Sequence, residues 1–141
     1  MATFNKFQAF VEHVAEKVHN LGADTLKVML TNTAPVATNT LKADITEIAA
    51  GNGYTAGGAT PAITSSAQTS GVYKLVLADV VFTAAGGSIG PFRYAVLYND
   101  TPASPLKPLI GWHDYGSAIT LNVGESFTWD ADPTNGVIQL T

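Results

Sequence analysis

The densest cluster of groups able to do chemistry is Trp112-His113-Asp114-Tyr115. A histidine beside an aspartate can serve a nucleophile or hold a metal. Neighbouring side chains of a strand point to opposite faces, however, so His113 and Asp114 meet only if a turn brings them round. No Gly-x-Ser-x-Gly elbow accompanies them. The cluster therefore reads as a strand end with a structural histidine. Trp112 and Asp114 are expected on one face, His113 and Tyr115 on the other. One face should pack the core, with Trp112 buried, and the other should meet solvent or a subunit, with His113 exposed. His13 and His19 fall about 120° apart around a continuous helix, which keeps them from chelating one metal together. Asp130 and Asp132 flank a turn, but calcium takes about six to eight oxygens, and Asp-Pro is ordinary turn chemistry. Tyr54, Tyr73, Tyr94, Tyr98, Trp112, Tyr115 and Trp129 offer stacking surface for a sugar; in a β-sandwich, alternate aromatics more often form core or interface.

"EIAAGNGYTAGG", residues 47 to 58, poses a second question. A phosphate loop sets its glycines between a strand and a helix N-terminus, with a lysine or the helix dipole facing the anion. Here "ATPAITSSAQTSG" follows, which does not read as a helix and lacks Gly-Lys-Ser/Thr. The glycines more simply supply positive φ angles in a loop lying close to another backbone. Tyr54 is the loop's one large side chain.

Composition narrows the classes. The chain has 141 residues, no cysteine and a formal charge of −4, with 13% of residues charged. No disulfide framework or thiolate metal site can form. The few basic residues are scattered between Lys6 and Lys107, which argues against binding a phosphate backbone. No stretch approaches the roughly 18 apolar residues of a membrane-crossing helix, and "MATFNKFQAF" lacks the basic start and apolar run of a signal peptide. A protein made and folded in a cytoplasm is expected.

The elements that must position these groups begin with one helix. Phe7, Phe10, Val11, Val14, Val18 and Leu21 follow the spacing of a 3.6-residue period, which predicts an amphipathic helix over about 5–21. Asn5 is the expected N-cap, with Gln8 in capping-box position, and Gly22 the expected left-handed stop. The stripe must cover its own sheet or a neighbouring subunit. From about residue 25 to 141 the period is two. Strands are predicted at 25–32, 72–84, 91–99, 108–115, 118–123, 126–131 and 136–141, punctuated by Gly86-Gly87, Asn99-Asp100 and Pro133-Thr-Asn-Gly136. One helix followed only by strands points to an antiparallel β-sandwich or barrel in a single domain, 1–141.

Several stretches are more specific. "DTLKVMLTNTAPVATNT", "ADITEIAAGNGYTAGG", "GGSIGPFRYAVLYNDT", "KPLIGWHDYGS" and "LNVGESFTWD" resemble a family of small structural proteins of tailed bacteriophages, the capsid decoration or cementing proteins. The resemblance runs from about residue 4 to the C-terminus. It implies a mainly β, jelly-roll-like antiparallel sandwich preceded by one N-terminal helix. It also implies a non-enzymatic role on the capsid surface, binding the phage's major capsid protein; the apolar helix stripe and the few charges elsewhere predict a homo-oligomer, dimer or trimer. The resemblance carries no catalytic residue over to this chain; the motifs above predict no cofactor or metal site, and the charge and hydropathy predict neither nucleic acid nor membrane as partner. Phe7, Phe10 and Val14 of the helix and Gly53, Tyr54 and Gly57 of the loop are the candidate protein-interface residues. The rival expectations are a tail or head-fibre component, a carbohydrate-binding module using Tyr98, Trp112 and Tyr115, and an enzyme using His113 and Asp114.

Overall fold

The computed structural model describes residues 2–141. The chain is mainly β, with antiparallel sheets and one α-helix near the N-terminus. A short strand β1 (Phe4–Lys6) leads into α1 (Gln8–Ala15), and β2 (Leu26–Thr31) follows. After a single 3₁₀ turn (Lys42–Asp44) come β3 (Ile63–Thr69), β4 (Val72–Leu77), β5 (Val80–Thr83), β6 (Ile89–Asn99), β7 (Leu109–Leu121), β8 (Ser126–Trp129) and β9 (Ile138–Leu140). The strands form a four-stranded sheet in the order β1-β7-β6-β2, a three-stranded sheet β3-β4-β9 and the pair β5-β8.

The helix is shorter than its apolar spacing predicts. Asn5 is not its cap, because it lies in β1 opposite Trp112; Phe7 occupies the N-cap position without a capping side chain. The end is not at Gly22 either. Lys17 takes the left-handed conformation at φ 65, its N–H bonds to Val14 O, and the Val18 N–H bonds to His13 O at 2.8 Å. These two bonds make a Schellman motif closed by lysine instead of glycine. Phe7, Phe10 and Leu21 are buried, Val14 and Val18 are half-buried, and Val11 is 54% exposed. The apolar stripe thus packs against its own chain, partly through α1 and partly through the turn that follows it.

Three predicted strands are divided differently. Residues 72–84 break at Ala78-Asp79, where the Asp79 carboxylate accepts the Ala131 N–H at 2.8 Å and the chain passes from one sheet to another. Residues 108–115 and 118–123 form mostly one strand, β7, which passes through Gly116 at φ +86. The four-stranded sheet is covered on both faces. One face, with Val28, Leu30, Phe92, Ala95, Leu97 and Ile110, joins the main core. The other carries Met29, Val96, Tyr98 and Leu109 beneath Phe7 and Ile45. This double covering matches the apolar residues on both sides of β6, Ala95 and Leu97 on one and Val96 and Tyr98 on the other.

Candidate functional site

The loop from Glu47 to Gly58 is a clamp on its own sheet. Gly51 and Tyr54 exchange both backbone hydrogen bonds, at 2.8 and 3.0 Å. Between them Asn52 and Gly53 sit at φ 57 and 99, the two positive angles of a type I′ turn. The turn sends the Tyr54 ring inward, where it is 3% exposed and 5.8 Å from Phe82. Its hydroxyl donates to Glu47 Oε1 at 2.7 Å and accepts the Leu30 N–H at 3.0 Å. The same carboxylate oxygen accepts the Gly57 N–H at 2.6 Å, while Glu47 Oε2 pairs with Lys42 Nζ at 3.1 Å. Tyr98 donates its hydroxyl to Gly57 O at 2.6 Å. Burial, above all, raises the phenol pKa values of Tyr54 and Tyr98.

The loop also finishes the outer edge of β2. Val28 and Ala59 exchange both backbone bonds, and the Ile48 N–H reaches Leu30 O. Gly58, at φ +85, lies so close to Val28 that a Cβ would overlap the Val28 carbonyl. Close backbone approach holds at Gly53, against Thr83, and at Gly58, against Val28, but not at Gly51 or Gly57, and the other backbone belongs to the same chain. Of the candidate interface residues, Phe7, Phe10 and Tyr54 are 0%, 1% and 3% exposed. Their side chains are consumed in the subunit's own core, which corrects the expectation that they face a partner. Val14 and Gly57 are half-buried and Gly53 is exposed.

The Trp-His-Asp-Tyr cluster lies in β7 and alternates as expected, but both faces are packed. His113 is buried, and its Nδ1 accepts the Trp129 Nε1–H at 3.1 Å. Phe4, Tyr115 and Trp129 surround its ring. Burial lowers its pKa to about 4. The expectation of an exposed His113 fails because this face joins the main core, where Trp129 needs an acceptor for its N–H. Trp112 is only half-buried and packs on Phe7, with ring centroids 4.5 Å apart. Asp114, on the Trp112 side, holds Arg93 through two bonds of 2.8 and 3.1 Å and accepts the Gly116 N–H at 2.8 Å. The Arg93 contact, first among the causes, lowers the Asp114 pKa. His113 and Asp114 do not meet. Nor do Tyr98, Trp112 and Tyr115 make a platform: Tyr98 is fully buried, and Tyr115 stacks edge-on against Phe127 on the opposite face from Trp112.

Asp132 spends its carboxylate in the turn, accepting from the Thr134 and Asn135 backbones and the Asn135 side chain. Among the described residues, no group of three or more His, Cys, Asp or Glu is placed to hold a metal ion, and no helix is long and apolar enough to cross a membrane.

The separation of His13 and His19 expected from a continuous helix does not hold. Because α1 stops at Ala15, the chain doubles back and brings the His13 and His19 rings to 5.8 Å, edge to face. The helical angle that separated them does not apply. Asn99 binds the two sides of this corner: its Oδ1 accepts the Thr101 N–H, and its Nδ2 lies 2.7 Å from Asp24 Oδ2 and 3.0 Å from His19 Nδ1. With the amide so oriented, His19 Nδ1 is an acceptor and its proton sits on Nε2. His19 Nε2 and His13 Nδ1 are both buried without a hydrogen-bond partner. Burial, then the neighbouring His13, lowers the His19 pKa to about 4. A cleft of about 540 Å³ opens beside this corner, between the turn after α1 and Ser66, Tyr73 and Leu140 of the three-stranded sheet.

No family model matches the chain, and neither a curated protein nor a solved structure matches it.

Proposed function

We propose that the chain is a structural protein of a tailed-bacteriophage virion, made in the bacterial host's cytoplasm. It decorates the outside of the assembled capsid, binds the major capsid protein as a homo-oligomer and slows opening of the shell without making or breaking a bond. In this reading the antiparallel sheets form a jelly-roll-like sandwich. The wording of "ADITEIAAGNGYTAGG", "GPFRYAVLYNDT" and "KPLIGWHDYGS" supports it. One structural observation carries it beyond wording: the side chains that invited chemistry are held by partners within the subunit. Tyr54 is bound to Glu47, His113 to Trp129 and Asp114 to Arg93. Such groups serve the subunit's shape, and a protein that acts by shape acts through its surface.

The test is to add purified protein to capsids that lack it, then measure bound copies and the temperature at which the shell opens. Saturable binding with a raised opening temperature is the expected result. Density on the tail or on head fibres in a virion map would move the protein to those parts. A specific glycan ligand lost in a still-folded Trp112→Ala variant would replace the proposal with a carbohydrate-binding module.

A further inference from the structure

We propose that β3 is a docking edge for a second copy of this chain, the two strands pairing antiparallel about a two-fold axis near Ala67. The strand closes one end of the three-stranded sheet. Among the described residues, no segment other than β4 adds a backbone ladder to Ile63–Thr69, and Thr64 through Thr69 are all exposed. The contrast with β2 is sharp, since Ile48, Tyr54 and Ala59 occupy that strand's outer edge. β1, β5, β8 and β9 span only three or four residues each. β3 is thus the long edge left open.

Natural sheets protect such edges with lysine, proline, an inward charge or a bulge, because a free row of N–H and C=O groups templates another strand; β3 has a bulge only at its start, between Ile63 and Ser65. Residues 48 to 73 contain no Asp, Glu, Lys, Arg or His at all, in a chain of net charge −4. The next charge along the chain is Lys74, opposite Ala67 on β4, and its Nζ is turned to Thr134 O. This neutrality selects the occupant. A charged foreign strand finds no ion pair on β3, whereas a second β3 brings no like charge against itself. The strand is regular from Ser65 to Thr69, past the bulge between Ile63 and Ser65, and pairing centred on Ala67 sets Ser65 opposite Thr69 of the other copy and Ser66 opposite Gln68. Both are pairs of hydrogen-bonding side chains, which suit a ladder. The two-fold arrangement also consumes both edges, so the sheet runs through two subunits and stops, where a head-to-tail contact would leave an edge free to grow a fibre. The inference does not depend on the capsid proposal.

Sedimentation equilibrium of the full chain, with hydrogen exchange across a dilution series, tests it. A dimer is expected at micromolar concentration, with the amides of 63–69 slow to exchange when concentrated and fast when dilute. Ser65→Lys should weaken association about tenfold or more by setting a charge on the paired edge. Ser65→Thr and Ser117→Lys, the latter placing the same charge on exposed β7, should leave it unchanged. Circular dichroism identifies a variant that has failed to fold, in which case exchange on the unaltered protein decides. A monomer at every concentration, a trimer, or a dimer whose β3 exchange is the same at all dilutions overturns the proposal.

Discussion

Removal of the Glu47 carboxylate should be among the costliest single changes at the edge of the four-stranded sheet. Oε1 accepts from the Tyr54 hydroxyl at 2.7 Å and from the Gly57 N–H at 2.6 Å, and Oε2 pairs with Lys42. The Glu47 side chain is only 15% exposed, so water replaces these partners poorly. Hydrogen bonds to a charged group contribute about 1.5–3 kcal/mol each, and a partly exposed ion pair adds about 0–1 kcal/mol. Glu47→Ala should therefore cost about 3–7 kcal/mol, a large part of the roughly 5–15 kcal/mol that a domain commands. Glu47→Gln keeps an acceptor oxygen at the same reach and should cost about 1–2 kcal/mol, the difference made by charge. Urea denaturation measures both, and amide exchange at Val28, Leu30 and Ala59 reports whether the loss is local to the edge of β2. If Glu47→Ala costs less than about 1 kcal/mol and those amides stay protected, the loop is held by something other than this carboxylate, and the account of the clamp is wrong.

Three further outcomes are expected. His113→Ala should cost about 2–4 kcal/mol, because it opens a hole in the core and strands the Trp129 N–H; a cost under about 0.5 kcal/mol in chemical denaturation would return His113 to an exposed role. His19 and His113 each have a folded pKa of about 4 against an ordinary 6.5, so their stabilising neutrality is complete above pH 6.5 and is lost as pH falls toward 4, while the unfolded chain takes up protons first. Stability should fall by about 2 kcal/mol per histidine between pH 7 and pH 5, and a flat profile over that window would contradict their burial. Gly58 and Gly124 share nearly the same φ, +85 and +87, but a Cβ meets the Val28 backbone at the first and nothing at the second. Gly124→Ala should cost about 1 kcal/mol of backbone strain and Gly58→Ala clearly more, and equal shifts in melting temperature would refute the steric part of this reasoning.

The antiparallel, mainly β character was legible because period-two alternation is a direct print of one buried face. The helix was legible in kind and not in length. Phe7, Phe10, Val14 and Leu21 keep a helical spacing although the last lies beyond a Schellman turn, since a folded-back turn can bury the same side of the chain as another helical turn would. Lys17 at a left-handed position carries no compositional signal, and Gly22 offers a false one. Tyr54 was misplaced for a similar reason. Its glycine-rich surroundings mark a loop, and loops lie on surfaces, but the I′ turn at Asn52-Gly53 directs this ring inward to a carboxylate seven positions earlier. His113 and Trp112 show the limit of alternation, which sorts side chains into two sets without saying that both sets are covered. The contact between His13 and His19 depends on where α1 stops, and that boundary is the least readable part of a sequence.

The pairing scheme has a consequence for the order of assembly. β1 finds its partner at Gly111–His113, β2 at Tyr94–Asn99, and β4 holds β9 through Tyr73 and Leu140. The first strand made thus waits for one of the last, and only the β3-β4 and β6-β7 hairpins join neighbours in sequence. Loop-closure entropy is spent before such distant contacts return anything, which sets folding on the millisecond-to-second scale of high-contact-order β-proteins. During synthesis, β2 must stay unpaired until β6 has left the ribosome. The Glu47–Gly58 clamp pairs with β2 across a much shorter span of chain, and so it is placed to cover that strand's outer edge while its long-range partner is still being made.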